Sequence, residues 1–393
     1  MNFDLISIII FIILIIIFLY IKRKEIATQK IIFPFLYLLL YRTNFGLKFM
    51  EKTAKKYRGL IKTIGYCSIG IGFIGMIFIS YSIIATTIKF LISPRTVDTG
   101  VALVLPGTTI PGVGYLSFWH WIIAIFVLAI VHEFGHGIVS EAHNLKVKSS
   151  GFAFLSILFP IIPAAFVEPD EKKIREQPDY VQYSIFAAGP MSNIALAFLV
   201  LLIISLVINP IGAAITNPTG FSFDVKENFP AANAGLKSGM IINSVNYEKI
   251  SDYNEFIEKV YYIKPNEKII LGTKDKKYEI IATTSPDNSE KGFIGISNFK
   301  NEVEFKEQYK PYESLFKWIA GLFKWLFLLN LFVGLFNLLP LGIVDGGRML
   351  QILLHKTIKN IKKANKIWVF ISFLILGMLL FGLAANYIKQ WFF

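Results

Sequence analysis

Residues 118–140 read FWHWIIAIFVLAIVHEFGHGIVS. The run is apolar from Phe118 to Val131 except for His120, and it closes on His132-Glu133-Phe134-Gly135-His136. About 20 apolar residues in a helix cross the hydrocarbon core of a bilayer. Ionisable groups inside such a span are costly and normally mark a working site. This stretch therefore predicts a membrane helix with a polar site near its C-terminal end, and the rest of the chain is read outward from it.

Composition agrees with a membrane location. The 393 residues have a mean hydropathy of +0.56, 54% hydrophobic and 17% charged residues, and 36 Phe. A soluble fold does not have enough interior for that much apolar surface. Five further apolar runs read as spans: Leu5–Ile21, Ile64–Ile88, Ser184–Ile208, Leu315–Leu339 and Ile367–Tyr387. In the first, the basic residues Lys22, Arg23 and Lys24 follow the apolar stretch, and no small-residue cleavage site appears, so it is expected to stay as an anchor. Ile31–Tyr41 is too short to span, contains Pro34, and reads as an interfacial or re-entrant piece. Cys67 is the single cysteine, which excludes an intrachain disulfide and a metal site built on several thiolates.

The net charge of +13 resolves by loop. Eleven basic residues lie between spans one and two (Lys22 through Lys62), and further basic groups lie between spans three and four and after span five. The intervening loops are poor in basic residues. Basic loops face the cytoplasm, which places both termini and the long segment from Asn209 to Pro311 outside. The excess is then an orientation signal, aided by attraction to anionic lipid, and does not mark a nucleic-acid partner. Two apolar stretches flanking the third span are too interrupted for helices: Val101–Gly114, with two Pro-Gly turns, and Gly151–Val167, with Pro160 and Pro163. Irregular or extended backbone at membrane depth needs cover from protein or a wet cavity, so something polar is expected there.

In a helix, residues i and i+4 share a face, so His132 and His136 can reach one metal ion while Glu133 sits beside it. The pattern suits zinc, with Glu133 as general base toward water at the metal. A catalytic zinc needs a third protein ligand. Val139 and Ala142 stand where an extended zinc-protease pattern would need Gly and His. His143 is one residue off and is expected at the lipid interface. Glu168 and Asp345 remain as candidates, and the charge-derived topology, which puts Asp345 on the same membrane face as the two histidines, favours Asp345. Pro340 lacks an amide hydrogen, so the helix of span five is expected to break near it and release Asp345 toward the metal.

Three motifs in order, His132-Glu-Phe-Gly-His136, Gly189-Pro-Met-Ser-Asn193 and Asn337-x-x-Pro340 leading to Asp345-Gly346, resemble the site-2 protease family of intramembrane zinc metalloproteases. The resemblance covers roughly residues 100 to 350. It implies one catalytic Zn2+ held by His132, His136 and Asp345, Glu133 as catalytic base, Asn193 and Asn337 at the substrate site, and transmembrane segments of other proteins as substrates. Asn193 alternatively makes an interhelical hydrogen bond. Val101–Gly114 is expected to pair an unwound substrate by strand addition.

Residues 217–300 carry more charge and shorter apolar runs. Pro230-Ala-Ala-Asn-Ala-Gly235-Leu-Lys-Ser-Gly239 and Phe293-Ile-Gly295-Ile296 resemble a circularly permuted bacterial PDZ domain, which implies either a site for a peptide C-terminus or a lid or size filter without peptide affinity. The expected architecture is an α-helical polytopic membrane protein with about six transmembrane helices, short membrane-associated β segments and an inserted extracytoplasmic α+β PDZ-like domain. Its parts are a two-span region (1–92), a first core part (93–212), the PDZ-like domain (213–305), a second core part (306–350) and a last span (351–393). A membrane scaffold with a degenerate metal site and a transporter are the competing classes. Intact His132, Glu133, His136 and Asp345 speak against the first, and the lack of a visible inverted repeat speaks against the second.

Overall fold

The computed structural model describes residues 3–32, 36–93, 100–110, 112–157, 159–285 and 288–392. Two compact units divide the chain: Met1–Ile204 with Ile319–Phe393, and Ser205–Trp318. Among the described residues six helices are long and apolar enough to cross a membrane: Phe3–Ile21, Arg58–Ile92, Phe118–Ala142, Asp179–Ile215, Glu307–Phe336 and Ile361–Ala385. They coincide with the six expected spans and run past them at most ends, because a helix continues into the headgroup layer where charged residues are solvated.

The first unit opens with α1 (Phe3–Ile21), β1 (Ile26–Ile32), β2 (Leu36–Thr43), α2 (Leu47–Lys56) and α3 (Arg58–Ile92). It continues with β3 (Thr108–Ile110), β4 (Gly114–Leu116), α4 (Phe118–Ala142), β5 (Val147–Ile157), β6 (Phe159–Pro169), α5 (Glu171–Arg175) and α6 (Asp179–Ile203). Strands β1, β2, β5 and β6 form one antiparallel sheet in that order. The Ile31–Tyr41 segment is thus largely strand, paired from Leu36↔Ile157 to Thr43↔Ser150, while Pro34 lies outside the described residues. Gly151–Val167 supplies the other two strands, which meets the expectation of extended backbone there.

Among the described residues of Val101–Gly114 and its surroundings, strand pairing joins Thr108–Ile110 with Gly114–Leu116, and the Val104 carbonyl accepts from Trp121 Nε1 (3.1 Å). Trp121 lies about 16 Å along α4 from His132. Strand β6 is an edge strand of its sheet and meets α4 through the bond from Val167 N to Glu133.

Helix α4 is held at both ends by elements outside it. Ser117 caps its N-terminus, with Oγ accepting from His120 N (3.4 Å). Asp4 of α1, only 6% exposed, accepts from Phe118 N (3.2 Å) and from the Tyr115 hydroxyl. A carboxylate at a helix N-terminus meets unpaired amides and the positive end of the helix dipole. At the other end Arg58 Nε donates to the Ala142 carbonyl (2.9 Å), and its guanidinium also reaches Asn144 Oδ1. His143 packs half-buried against α3 and α6, with Nε2 3.4 Å from Ser184 Oγ and its ring 5.7 Å from Tyr66, so it does not lie free at the interface.

The second unit contains α7 (Asn209–Ile215), β7 (Thr216–Val225), α8 (Pro230–Asn233), β8 (Ile241–Ile242), β9 (Ser244–Val245), β10 (Glu248–Lys249) and α9 (Tyr253–Val260). Strands β11 (Lys268–Gly272), β12 (Lys277–Ile281), β13 (Thr283–Thr284), β14 (Gly292–Phe293) and β15 (Ile296–Phe305) follow. Two small sheets, β15-β7-β8 and β10-β9-β11-β12, enclose a core of Phe221, Phe223, Ile242, Phe256, Leu271 and Ile280. Asp252 caps α9 through Glu255 N (2.9 Å), as its position before an amphipathic run predicts.

Helices α10 (Glu313–Phe336), α11 (Asp345–Thr357) and α12 (Ile361–Phe392) complete the chain. Replacing Asp4 by Ala removes two hydrogen bonds to a buried carboxylate, for which about 1.5–3 kcal/mol is lost per charged bond. Thermal unfolding in detergent is expected to shift downward by several degrees for Asp4→Ala and by less for Asp4→Asn, which keeps an acceptor.

Candidate metal centre

Three elements bring the donors together. His132 and His136 lie one turn apart near the C-terminal end of α4, and Asp345 is the first residue of α11. The break expected near Pro340 occurs as α10 ending at Phe336 and the chain restarting as a helix at Asp345. Within that turn Leu338 and Leu339 are fully buried, and the Asn337 carbonyl accepts from Gly346 N (2.8 Å). Helix α12 braces it from behind: Trp368 Nε1 donates to the Gly347 carbonyl (2.8 Å) and Gly342 N donates to Ser372 Oγ (3.1 Å).

His132 Nε2 and His136 Nε2 are 3.1 Å apart, and Asp345 Oδ2 lies 3.1 Å from the first and 3.3 Å from the second. Ligand atoms around a tetrahedral zinc sit roughly 3.3 Å from one another. Tautomers fit as well. His136 Nδ1 is 2.7 Å from the Ile185 carbonyl, which can only accept, so Nδ1 carries the hydrogen and Nε2 keeps its lone pair for a metal. His132 Nδ1 faces the Asn193 amide nitrogen at 3.3 Å, while Asn193 Oδ1 is buried without a partner. Turning that amide by half a rotation gives Oδ1 the Nδ1–H bond and frees His132 Nε2 in the same way. Two neutral imidazoles and one carboxylate, all mutually within 4.8 Å, form a donor set suited to zinc.

Asn193, expected to line the substrate site, is instead fully buried behind His132. Asn337 lines the cavity beside the donors and bonds its own helix through Val333 O (3.0 Å). Glu168 is not brought to the histidines. It pairs with Arg42 (3.1 Å) and accepts from Ser149 Oγ (2.7 Å), joining β2 and β5 to β6. The Arg42 bond, then the Ser149 bond, hold its carboxyl below the usual carboxylate range.

Two glycines permit the site. A Cβ on Gly189 of α6 would stand 2.7 Å from His136 Cε1 and 2.8 Å from His132 Nε2, and one on Gly135 of α4 would stand 2.7 Å from the Ala188 carbonyl. Small residues let membrane helices approach this closely. Glu133 lines the same cavity as the donors, with Oε2 accepting from Val167 N of edge strand β6 (2.8 Å). The donors open on a cavity of about 990 Å³ whose walls include Phe166 and Val167 on one side and Gly342, Ile343 and Val344 on the other. Arg348–Glu171 and Lys356–Asp179 pairs, each 3.5 Å, stand among its lining residues.

Ile185, Trp368 and Ser372 carry no motif of their own. Of these, the tryptophan within a span that also starts with a basic cluster was the one visible hint of an anchoring contact.

Comparison with known proteins gives the site its class. A profile described as Peptidase family M50 matches residues 120–379, and the chain belongs to that family, the site-2 proteases; it is a multi-pass membrane metalloprotease. It is 30% identical over 314 residues to an uncharacterized protein of Methanocaldococcus jannaschii, covering 78% of this chain and 75% of that one. It is 24% identical over 295 residues to the regulator of sigma-W protease RasP of Bacillus subtilis, covering 60% and 69%. Among solved structures, the PDZ domain of an SdrC-like protein from Listeria monocytogenes shares 24% identity, with 20% of this chain and 85% of that one covered at a TM-score of 0.18.

Gly189→Ala is expected to strip bound zinc from the purified protein, since its methyl group occupies the space of the histidine rings. Gly70→Ala, which meets nothing within 4 Å, should keep full metal content. Metal analysis of Asp345→Ala and Glu168→Ala should show loss in the first and retention in the second.

Proposed function

We propose that this protein is an intramembrane zinc endopeptidase that hydrolyses peptide bonds within transmembrane segments of other membrane proteins. The convergence of His132, His136 and Asp345 on one point inside a bundle of membrane helices carries this reading. Neither a degenerate scaffold nor a transporter has a need for that donor set with a glutamate beside it.

Zinc held by these three residues supplies Lewis acidity toward a peptide carbonyl and toward water. Glu133 is the general base. Its Oε2 is fixed by Val167 N, which leaves Oε1 without a hydrogen bond among the described residues and able to take the proton of the attacking water. The same carboxyl then returns the proton to the leaving amine, closing the cycle. Asn193 and the Ile185 carbonyl act through the histidines, fixing their tautomer and orientation. A helical substrate hides its peptide groups in its own hydrogen bonds, so it must unwind locally. The outward edge of β6 is the place for the freed backbone: Val167 N on that edge is taken by Glu133, the two-residue period of a strand puts Ala165 N on the same edge for a substrate carbonyl, and Pro163 lacks an amide hydrogen. Asn337 takes a place along the cavity wall where such a strand would lie.

The basic loops favour a cytosolic position for the metal centre, with both termini and the Ser205–Trp318 unit outside the cell. In that unit the resemblance of Phe293-Ile-Gly295-Ile296 to a carboxylate-binding loop supports docking of a peptide C-terminus, or filtering of substrates by size, within regulated intramembrane proteolysis.

A purified preparation should cleave a reporter transmembrane peptide in a chelator-sensitive way. Glu133→Gln is expected to lower kcat by roughly 10²–10⁴-fold while keeping zinc. Undiminished cleavage by Glu133→Gln would overturn the reading.

A further inference from the structure

Residues 47–56, LKFMEKTAKK, form α2, which lies between the membrane sheet and the α3 span. Met50 and Ala54 are buried, at 0% and 1% exposure. At 3.6 residues per turn Lys48, Lys52, Lys55 and Lys56 fall within an arc of about 100° on a different side of the helix. Together with Glu51 they line one shallow surface depression. Lys55 pairs with Glu51 (2.5 Å) and Lys56 lies 5.0 Å from the centre of the Tyr57 ring. Lys48 and Lys52 have no ion pair among the described residues.

Three aromatic side chains border these lysines with large exposed areas: Phe45 at 54%, Phe49 at 58% and Tyr57 at 48%. The chain passes through Tyr57 directly into the 35-residue helix α3, which is long and apolar enough to cross a membrane, and a helix joined to the basic end of such a span belongs at the level of the headgroups. A row of lysines beside exposed aromatic rings at that depth fits a surface whose phosphates meet the ammonium groups while the rings enter the acyl boundary. A soluble acidic partner would satisfy the lysines and leave the rings in water.

The buried face of α2 touches the metal helix at the turn that carries its ligands. Met50 packs where a Cβ on Gly137 would overlap its Sδ, and Gly137 directly follows His136. Phe134, between the two histidines, closes over Gly46, and its ring centre lies 6.1 Å from that of Phe45 and 6.0 Å from that of Phe49. Gly46 has φ +75°, which a side chain would strain, so both the turn into α2 and the space for Phe134 depend on glycine there.

We infer that α2 is a docking site for the headgroups of anionic phospholipids, and that lipid held there braces the His132–Gly137 turn of α4. The inference stands apart from the proteolytic reading, because it concerns lipid binding and backbone protection, neither of which requires cleavage.

The test uses the full chain in nanodiscs of phosphatidylcholine alone or mixed with phosphatidylglycerol. Retained phosphatidylglycerol is counted by native mass spectrometry, and hydrogen exchange is followed across 45–57 and 130–138. The chain is compared with a set in which Lys48, Lys52, Lys55 and Lys56 are changed to Gln, and with a second set in which they are changed to Arg. Each Lys→Gln step is expected to weaken phosphatidylglycerol retention roughly fivefold, with the Arg set holding it. Phosphatidylglycerol should slow exchange in both segments for the unaltered chain and the Arg set, and leave the Gln set unchanged. Equal retention by the Gln set would overturn the inference, as would failure of both sets to bind. Equal protection by polyglutamate in phosphatidylcholine discs would also overturn it, in favour of an acidic protein partner.

Discussion

The close crossing of α4 and α6 is the constraint on which the rest of this protein depends. Two imidazoles at membrane depth need hydrogen-bond partners that water does not supply, and α6 supplies both: the Ile185 carbonyl for His136 and the Asn193 amide for His132. Those partners reach the rings only because Gly135 and Gly189 carry no side chain where the helices touch. Several other elements of the first unit fix a piece of this arrangement. Asp4 and Arg58 hold the two ends of α4, α12 supports the turn that ends in Asp345, and β6 holds Glu133. Buried polar groups at this depth must be satisfied by protein, which explains why so many of these contacts are side chain to backbone.

Much of this was legible in the residues. Long apolar runs predict spans because length and hydropathy alone decide insertion. The two histidines were readable as a pair from the helical period, and Asp345 was favoured over Glu168 because the loop charges placed it on the histidines' side. Other features were hidden for physical reasons. The strand at residues 36–43 pairs with β5, more than a hundred residues away in sequence, and a continuous run such as Leu36–Tyr41 shows no alternation that would distinguish strand from a short re-entrant piece. Val101–Leu105 has the composition of a strand, yet its Val104 carbonyl goes to the Trp121 indole, a tertiary choice that local propensity does not contain. Asn193 was visible as a buried amide, and its partner, the far side of His132, was not.

Glu133 illustrates how one side chain can serve two elements. It belongs to α4 by sequence and joins β6 by hydrogen bond, so the position of the proposed base follows the sheet as much as the helix. Arg42, Ser149 and Glu168 tie three strands of that sheet together a residue away from Val167, which gives the acceptor a fixed backbone to lean on. The carboxylate first open to consideration as a ligand thus has a structural task next to the site.

The second unit leaves the helical chain and returns to it on neighbouring strands, with Thr216 opposite Phe305 and Lys306 N bonded to the Ile215 carbonyl (3.0 Å). An insertion whose two ends lie side by side imposes almost no demand on the chain that receives it. In evolutionary terms this makes the unit a cassette: it can be lost, duplicated or exchanged for another with the same end spacing while the catalytic helices keep their register.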